Sequence, residues 1–235
     1  MSYDDIAAIY NSAYQGEEFR REDRLVRRAL RRFVPHGARV LDVGCGTGKG
    51  VELLPESVNY VGLDLSGPML DVARAAFPGR SFVQGDARSM PFQDETFDVA
   101  ISTFGALSHV LEIELALAET ARVLRRNGRA FLMVYGLDRQ TSPDRRNSEV
   151  VAYTPRGAEI PDGFAVDARL YSAYDIRKLL SVRFHRMHIR GLTLLRGRGA
   201  NKSKILEFLS DSIDATLCSI YKDHAHTLCI RIQQS

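Results

Sequence analysis

Short runs rich in valine, isoleucine and leucine recur through the first 135 residues, separated by stretches whose apolar residues return every three or four positions. The runs suit strands buried on both faces, and the stretches suit helices with one apolar side. This pattern predicts strands near 38–43, 58–63, 80–84, 97–102 and 129–135. It predicts helices from Gly67 to Ala76 and from Leu111 to Arg126, the second stopped by Asn127-Gly128. Strands alternating with crossover helices make an α/β fold with a parallel sheet covered on both sides.

Beyond residue 135 the rhythm breaks. From Gly136 to Leu170 three prolines, several glycines and Arg139, Arg145, Arg146, Arg156 and Arg169 interrupt any period, as expected of a lid over a site. Ser172 and Asp175 form a capping pattern that opens a helix through Leu180, and Asn201 to Tyr221 places Leu206, Leu209, Ile213, Leu217 and Ile220 on one helical face. Strands at 183–195 and 226–233 complete the sheet. The N-terminal side carries an arginine-rich amphipathic helix from Arg20 to Val34 with Leu25, Ala29 and Phe33 inward. Acidic and apolar residues interrupt its seven arginines, so it reads as a solvated face rather than a membrane or nucleic-acid surface. A single domain follows, divided into an N-terminal cap (1–36), a core (37–135), a lid with its connecting helix (136–182) and C-terminal elements (183–235).

Composition adds limits. Of the 235 residues 45% are hydrophobic and 26% charged, the net charge is +3, and no apolar run reaches the roughly 20 residues that span a bilayer. The acidic start Met1-Ser2-Tyr3-Asp4-Asp5 lacks the basic and apolar regions of a secretory signal, so a cytoplasmic location is expected. Cys45, Cys218 and Cys229 form no CxxC pair and read as reduced thiols.

Val40-Leu41-Asp42-Val43-Gly44-Cys45-Gly46-Thr47-Gly48 joins the first strand to a helix. Glycines there let a ligand approach the backbone and meet helix N-terminal amides. Lys49 stands where a GxGxxG dinucleotide loop needs its third glycine. Val43 and Gly50 stand where a Walker loop needs glycine and serine or threonine. Both nucleotide readings fail.

The segment VLDVGCGTG resembles motif one of the class I S-adenosylmethionine-dependent methyltransferases, and the likeness continues in order from about residue 38 to 135. It implies a Rossmann-like, seven-stranded, mostly parallel sheet with an antiparallel last strand and helices on both faces. By this resemblance Gly44, Cys45, Gly46 and Gly48 wrap the methionine part of S-adenosylmethionine, and Asp42 orients the loop and the amino group. Under the same resemblance Asp64, ending the second strand in Gly62-Leu63-Asp64-Leu65-Ser66, binds the ribose hydroxyls, both of which a carboxylate can accept from. Leu65, Met69, Asp86, Ala87 and Thr103 complete the cofactor set, with Asp86 and Ala87 at the adenine edge and Thr103 at the fourth strand's end facing the methyl group.

His109, just past the fourth strand, is a candidate general base, with a plain helix-start residue as the alternative. Tyr10 and Tyr14, four apart on the first predicted helix, suit packing. The stretch Ala8 to Gly16 is also similar to the opening of the methyltransferases that dimethylate amino sugars, which implies that such tyrosines close over the cofactor. Arg145, Arg146, Arg156 and Arg169 suit an anionic acceptor through paired hydrogen bonds, or are solvated loop charges. The pairs His185/His188 and His224/His226 lack nearby ligands at metal spacing, so no metal is expected.

The expected activity is methyl transfer to oxygen, nitrogen or carbon of a small molecule, chiefly by proximity and alignment. Methylation of RNA or protein, and binding of the cofactor without transfer, are the alternatives. The nucleic-acid alternative lacks an Asn/Asp-Pro-Pro-aromatic motif, since Ser102-Thr103-Phe104-Gly105 stands after the fourth strand.

Overall fold

A strand with apolar residues at successive positions must bury both faces, because its side chains alternate sides. In the computed structural model, which describes residues 2–137, 149–153, 160–181, 186–192 and 227–233, this is how the chain is built. Strands β1 (Arg39–Val43), β2 (Asn59–Asp64), β3 (Ser81–Gln84), β4 (Phe97–Ser102) and β5 (Leu124–Tyr135) pair in parallel. Two more, β8 (Arg186–Leu192) and β9 (Thr227–Gln233), extend them into a seven-stranded sheet of order β3-β2-β1-β4-β5-β9-β8. Strand β9 is antiparallel to both its neighbours.

Alternation sorts the core in two. Val40, Val99, Ile101, Phe131 and Met133 meet Val26 and Leu30 of α2 (Glu17–Phe33) and Leu53 of α3 (Lys49–Leu53) on one face. Leu41, Ala100, Leu132 and Val134 meet α5 (Ile113–Val123) and α6 (Ala173–Ser181) on the other. Leu30, with no exposed surface, contributes about 1.5–3 kcal/mol by burial.

Two expectations need correction. The helix expected to run from Leu111 to Arg126 ends at Val123, because Leu124 is drawn into the sheet opposite Phe97. The Asn127-Gly128 pair is therefore a bulge inside β5, with Asn127 at φ 63°, and the register with β4 resumes at Arg129. The lid is not irregular throughout either: β6 (Glu149–Tyr153) and β7 (Val166–Leu170) form an antiparallel pair. Backbone bonds between Tyr171 and both Tyr135 and Leu137 tie that pair to the end of β5. The expected helix Asn201 to Tyr221 lies outside the described residues, as do Arg139, Arg145, Arg146, Arg156, His185, His224 and His226.

The chain leaves β1 toward α4 (Gly67–Ala76) through β2 in one direction and reaches β4 in the other. The sheet order thus reverses between β1 and β4, and a crevice opens at the carboxyl ends of these strands. Over it lies the N-terminal segment: a 3₁₀ turn (Tyr3–Ile6) capped by Ser2, then α1 (Tyr10–Ala13). Ile6 and Ala7 pack there against Met69 and Phe164.

Candidate functional site

The glycine turn at the end of β1 is shaped by what surrounds it. Gly44, Gly46 and Gly48 all have positive φ, and a Cβ on Gly44 would stand 2.5 Å from the Cβ of Ala106. The loop after β4 therefore rests directly on the turn. Backbone amides of Gly44 and Cys45 donate to the Leu63 carbonyl, which locks the turn to the end of β2.

Beneath it Asp42 is buried, and its Oδ2 accepts from the Tyr60 hydroxyl at 2.8 Å. Its Oδ1 has no hydrogen-bond partner among the described residues. Burial pushes the carboxyl up to about 7. A side chain at position 50 would collide with Asp42 Oδ2, so Gly50 is what admits the carboxylate below the turn. Asp42 is thus placed to position the loop from below.

Asp64 ends β2, where its Oδ2 accepts from Gly46 N at 2.7 Å and its Oδ1 from Ser66 N at 2.9 Å. A carboxylate has roughly four lone-pair sites, so these bonds leave Asp64 with acceptor capacity. Burial raises its pKa. Leu65 beside it is 66% exposed, an apolar surface of the kind a purine covers. Met69 is covered by the N-terminal segment instead. Asp86 lies past β3, but Arg88 clasps it with Nη2 at 2.7 Å and Nε at 3.0 Å, so its side chain already has a cationic partner. Cys45 and Thr103 are buried, and Ala87 packs partly against the main core.

The donors and acceptors fit S-adenosylmethionine. A left-handed glycine turn open at Gly46, a spare acceptor at Asp64 and an unpartnered buried oxygen on Asp42 match a ligand with a ribose and an ammonium group.

The loop after β4 also carries an aromatic box assembled from distant parts of the chain. His109 follows β4 in a 3₁₀ turn (Ala106–His109), and its Nδ1 lies 2.9 Å from the Asp167 carbonyl of β7. A carbonyl only accepts, so Nδ1 carries the proton and Nε2 is left as an acceptor. The Tyr3 hydroxyl donates to that Nε2 at 2.9 Å. The rings of Tyr3, Tyr135 and Tyr153 surround the imidazole with centroids at 5.1, 5.6 and 5.8 Å. Tyr135 and Tyr153 stack on each other at 4.5 Å. Burial lowers the His109 pKa below the usual histidine range and keeps it neutral near pH 7. Burial likewise raises the pKa of Tyr3, Tyr10 and Tyr135, which stay phenols.

Tyr10 and Tyr14 contact each other at 4.7 Å, and Tyr10 reaches Tyr3 at 6.0 Å. The expected packing pair is therefore also one wall of the box. The N-terminal segment is fastened over the crevice by Ser66 donating to Asp4 and by Thr47 donating to Asn11 at 2.6 Å. Arg169 sits on β7 opposite Val150. The residues that sequence reasoning missed are Tyr3, Asn11, Tyr135, Tyr153 and the Asp167 carbonyl. Only Tyr135 carried a signal, at the carboxyl end of a predicted strand.

Among the described residues no histidine, cysteine and carboxylate group is arranged to hold a metal, and no helix is long and apolar enough to cross a membrane.

Residues 41–132 match the model of a family described as a methyltransferase domain. The chain is 40% identical over 131 residues to a demethylmenaquinone methyltransferase of Renibacterium salmoninarum, an alignment covering 54% of each protein. An uncharacterized protein of Methanocaldococcus jannaschii is 36% identical over 126 residues, 54% of this chain and 47% of that one. The chain thus spans about half the length of these curated relatives. A crystal structure from Thermotoga maritima, described as an S-adenosylmethionine-dependent methyltransferase and possible histamine N-methyltransferase, superposes with a TM-score of 0.66. That match covers 99% of this chain and 98% of that one at 17% identity, a likeness of fold.

Proposed function

We propose that the protein, whose residues 41–132 match the model of a methyltransferase domain, transfers a methyl group from S-adenosylmethionine to a small, planar hydroxylated acceptor. One observation carries the reading: the Tyr3–His109 hydrogen bond, formed on the 3₁₀ turn whose Ala106 packs against Gly44. When bound, the cofactor supplies an electrophilic methyl group on a sulfonium.

The protein's own part is alignment, exclusion of water and removal of one proton. The tyrosine walls stack a planar acceptor and shed water from it. An acceptor X–H donates to the Tyr3 oxygen, whose lone pairs face away from His109. The X–H proton would pass to the Tyr3 oxygen as the Tyr3 proton passes to His109 Nε2, so that the acceptor gives up one proton and Tyr3 ends neutral. The imidazolium so formed would be stabilised at Nδ1 by the Asp167 carbonyl. Such proton transfer contributes roughly 10²–10⁴-fold, and proximity supplies the rest.

An aromatic lining of neutral phenols favours an uncharged ring over an anionic acceptor or an amino sugar, and the similarity to a protein named for a menaquinone precursor supports this choice. Arg145, Arg146 and Arg156 remain the candidates for an anionic tail. The test is transfer of radiolabelled methyl from S-adenosylmethionine to a panel of hydroquinones, catechols, amines and amino sugars, with Tyr3→Phe alongside. Transfer to a hydroquinone, slowed on the order of tenfold in kcat by Tyr3→Phe with cofactor affinity kept, is expected. Tight cofactor binding with no transfer to any acceptor would mean a non-catalytic binder.

A further inference from the structure

Helix α2 carries Arg24, Arg27, Arg28, Arg31 and Arg32 at spacings of three and four, so all five share one face. Arg24 pairs with Glu17 at 3.2 Å, and no acidic residue occurs in the sequence between Arg24 and Leu41. Pairs 24/28, 27/31 and 28/32 are like charges at i,i+4, an arrangement that works against the helix unless a counter-charge covers it. The five side chains line a cleft of about 310 Å³. Within it Arg27 Nε is buried with no hydrogen-bond partner among the described residues. Arg129 and Arg231 widen the patch, the first donating to the Phe33 carbonyl at 3.5 Å and the second lying 5.9 Å from the Phe33 ring.

We infer that this face docks the protein on an anionic phospholipid surface. The opposite face of α2 is committed to the core through Val26 and Leu30, so the helix cannot insert its apolar side, and the contact is electrostatic. Single-stranded nucleic acid needs exposed aromatic platforms. The large exposed hydrophobics among the described residues are Leu65, Leu115, Val150 and Tyr174, none of them on α2. The stripe starts five residues beyond Phe19, whose ring meets Tyr14 at 4.9 Å in the wall of the aromatic box. Docking replaces the reading of α2 as a merely solvated face, and it stands whether or not the acceptor assignment holds.

The test is sedimentation of the full chain with vesicles of phosphatidylglycerol mixed with phosphatidylcholine, against phosphatidylcholine alone. Binding to the anionic vesicles, lost as salt is raised, is expected. The triple variant R27Q/R31Q/R32Q is expected to lose on the order of 100-fold, about fivefold per arginine. The lysine triple R27K/R31K/R32K retains most binding, because charge rather than fork geometry holds the surface. Calorimetric binding of S-adenosylmethionine stays unchanged in both, which shows that they are folded and separates this proposal from the methyl-transfer reading. Equal binding to neutral vesicles, full binding by the glutamine triple, or tighter binding to single-stranded RNA at the same salt would overturn it.

Discussion

The two walls of the crevice are built by opposite means. The cofactor wall is local: Asp42, the glycine turn and Gly50 come from nine consecutive residues, and Asp64 follows at the next strand end. The acceptor wall is remote: Tyr3 and His109 are 106 residues apart, and Tyr135, Tyr153 and Asp167 join them from β5, β6 and β7. The first wall is made largely of backbone shape, the second of side chains. Changes to the first should abolish binding, and changes to the second should spare binding and slow turnover.

The largest effect is expected from Gly44→Ala. A Cβ there needs a left-handed backbone and meets Ala106, which has no flexible end to withdraw. Strain and overpacking together amount to roughly 3 kcal/mol, or on the order of 100-fold in S-adenosylmethionine affinity by calorimetry. Unchanged affinity would break the contrast at its strongest point.

His109→Ala addresses the other wall. A kcat reduced by about 10²-fold, with cofactor affinity within twofold, is expected for a lost proton acceptor. In the unmodified protein, kcat/KM should fall with acidity only below the ordinary histidine range, because burial lowers the His109 pKa and a base works while neutral. A limb at or above the usual 6.5 would remove His109 from the mechanism.

A smaller change is expected from Asp42→Asn, measured as thermal stability against pH. The folded-state pKa is raised from 3.8 to about 7, so the native protein holds a proton that the unfolded chain gives up. Stability attributable to this group is present below 3.8 and is lost as pH rises toward 7. The asparagine variant flattens that decline and melts about 3 °C higher at pH 8. The smallest effect belongs to Arg88→Gln, since its pairs with Asp86 and Glu112 are solvent-exposed. A change below about 1 kcal/mol in cofactor affinity is expected, and a larger loss would make Asp86 a fixed part of the adenine site.

The same contrast explains what the sequence disclosed. The boundaries of β4 and α4 were readable because apolar runs and caps are short-range signals: Ser66 accepts from Met69 N just where the pattern begins. The end of α5 was misplaced because Asn127-Gly128 looks the same in a helix stop as in a strand bulge, and only the pull of Phe97 on Leu124 decides between them. Asp42 and Asp64 were legible from spacing within one motif. Tyr3 was not, because nothing in Ser2-Tyr3-Asp4-Asp5 records that the turn will fold onto a histidine over a hundred residues away.

The carbonyl of Asp167 sets the tautomer of His109, and it belongs to the backbone. Every amino acid brings the same oxygen, so position 167 is free to drift in evolution while the imidazole keeps its orientation. Homologues compared by residue identity would score this position as unconstrained, and the constraint would be visible only as preservation of the β6–β7 pairing that holds the carbonyl in place.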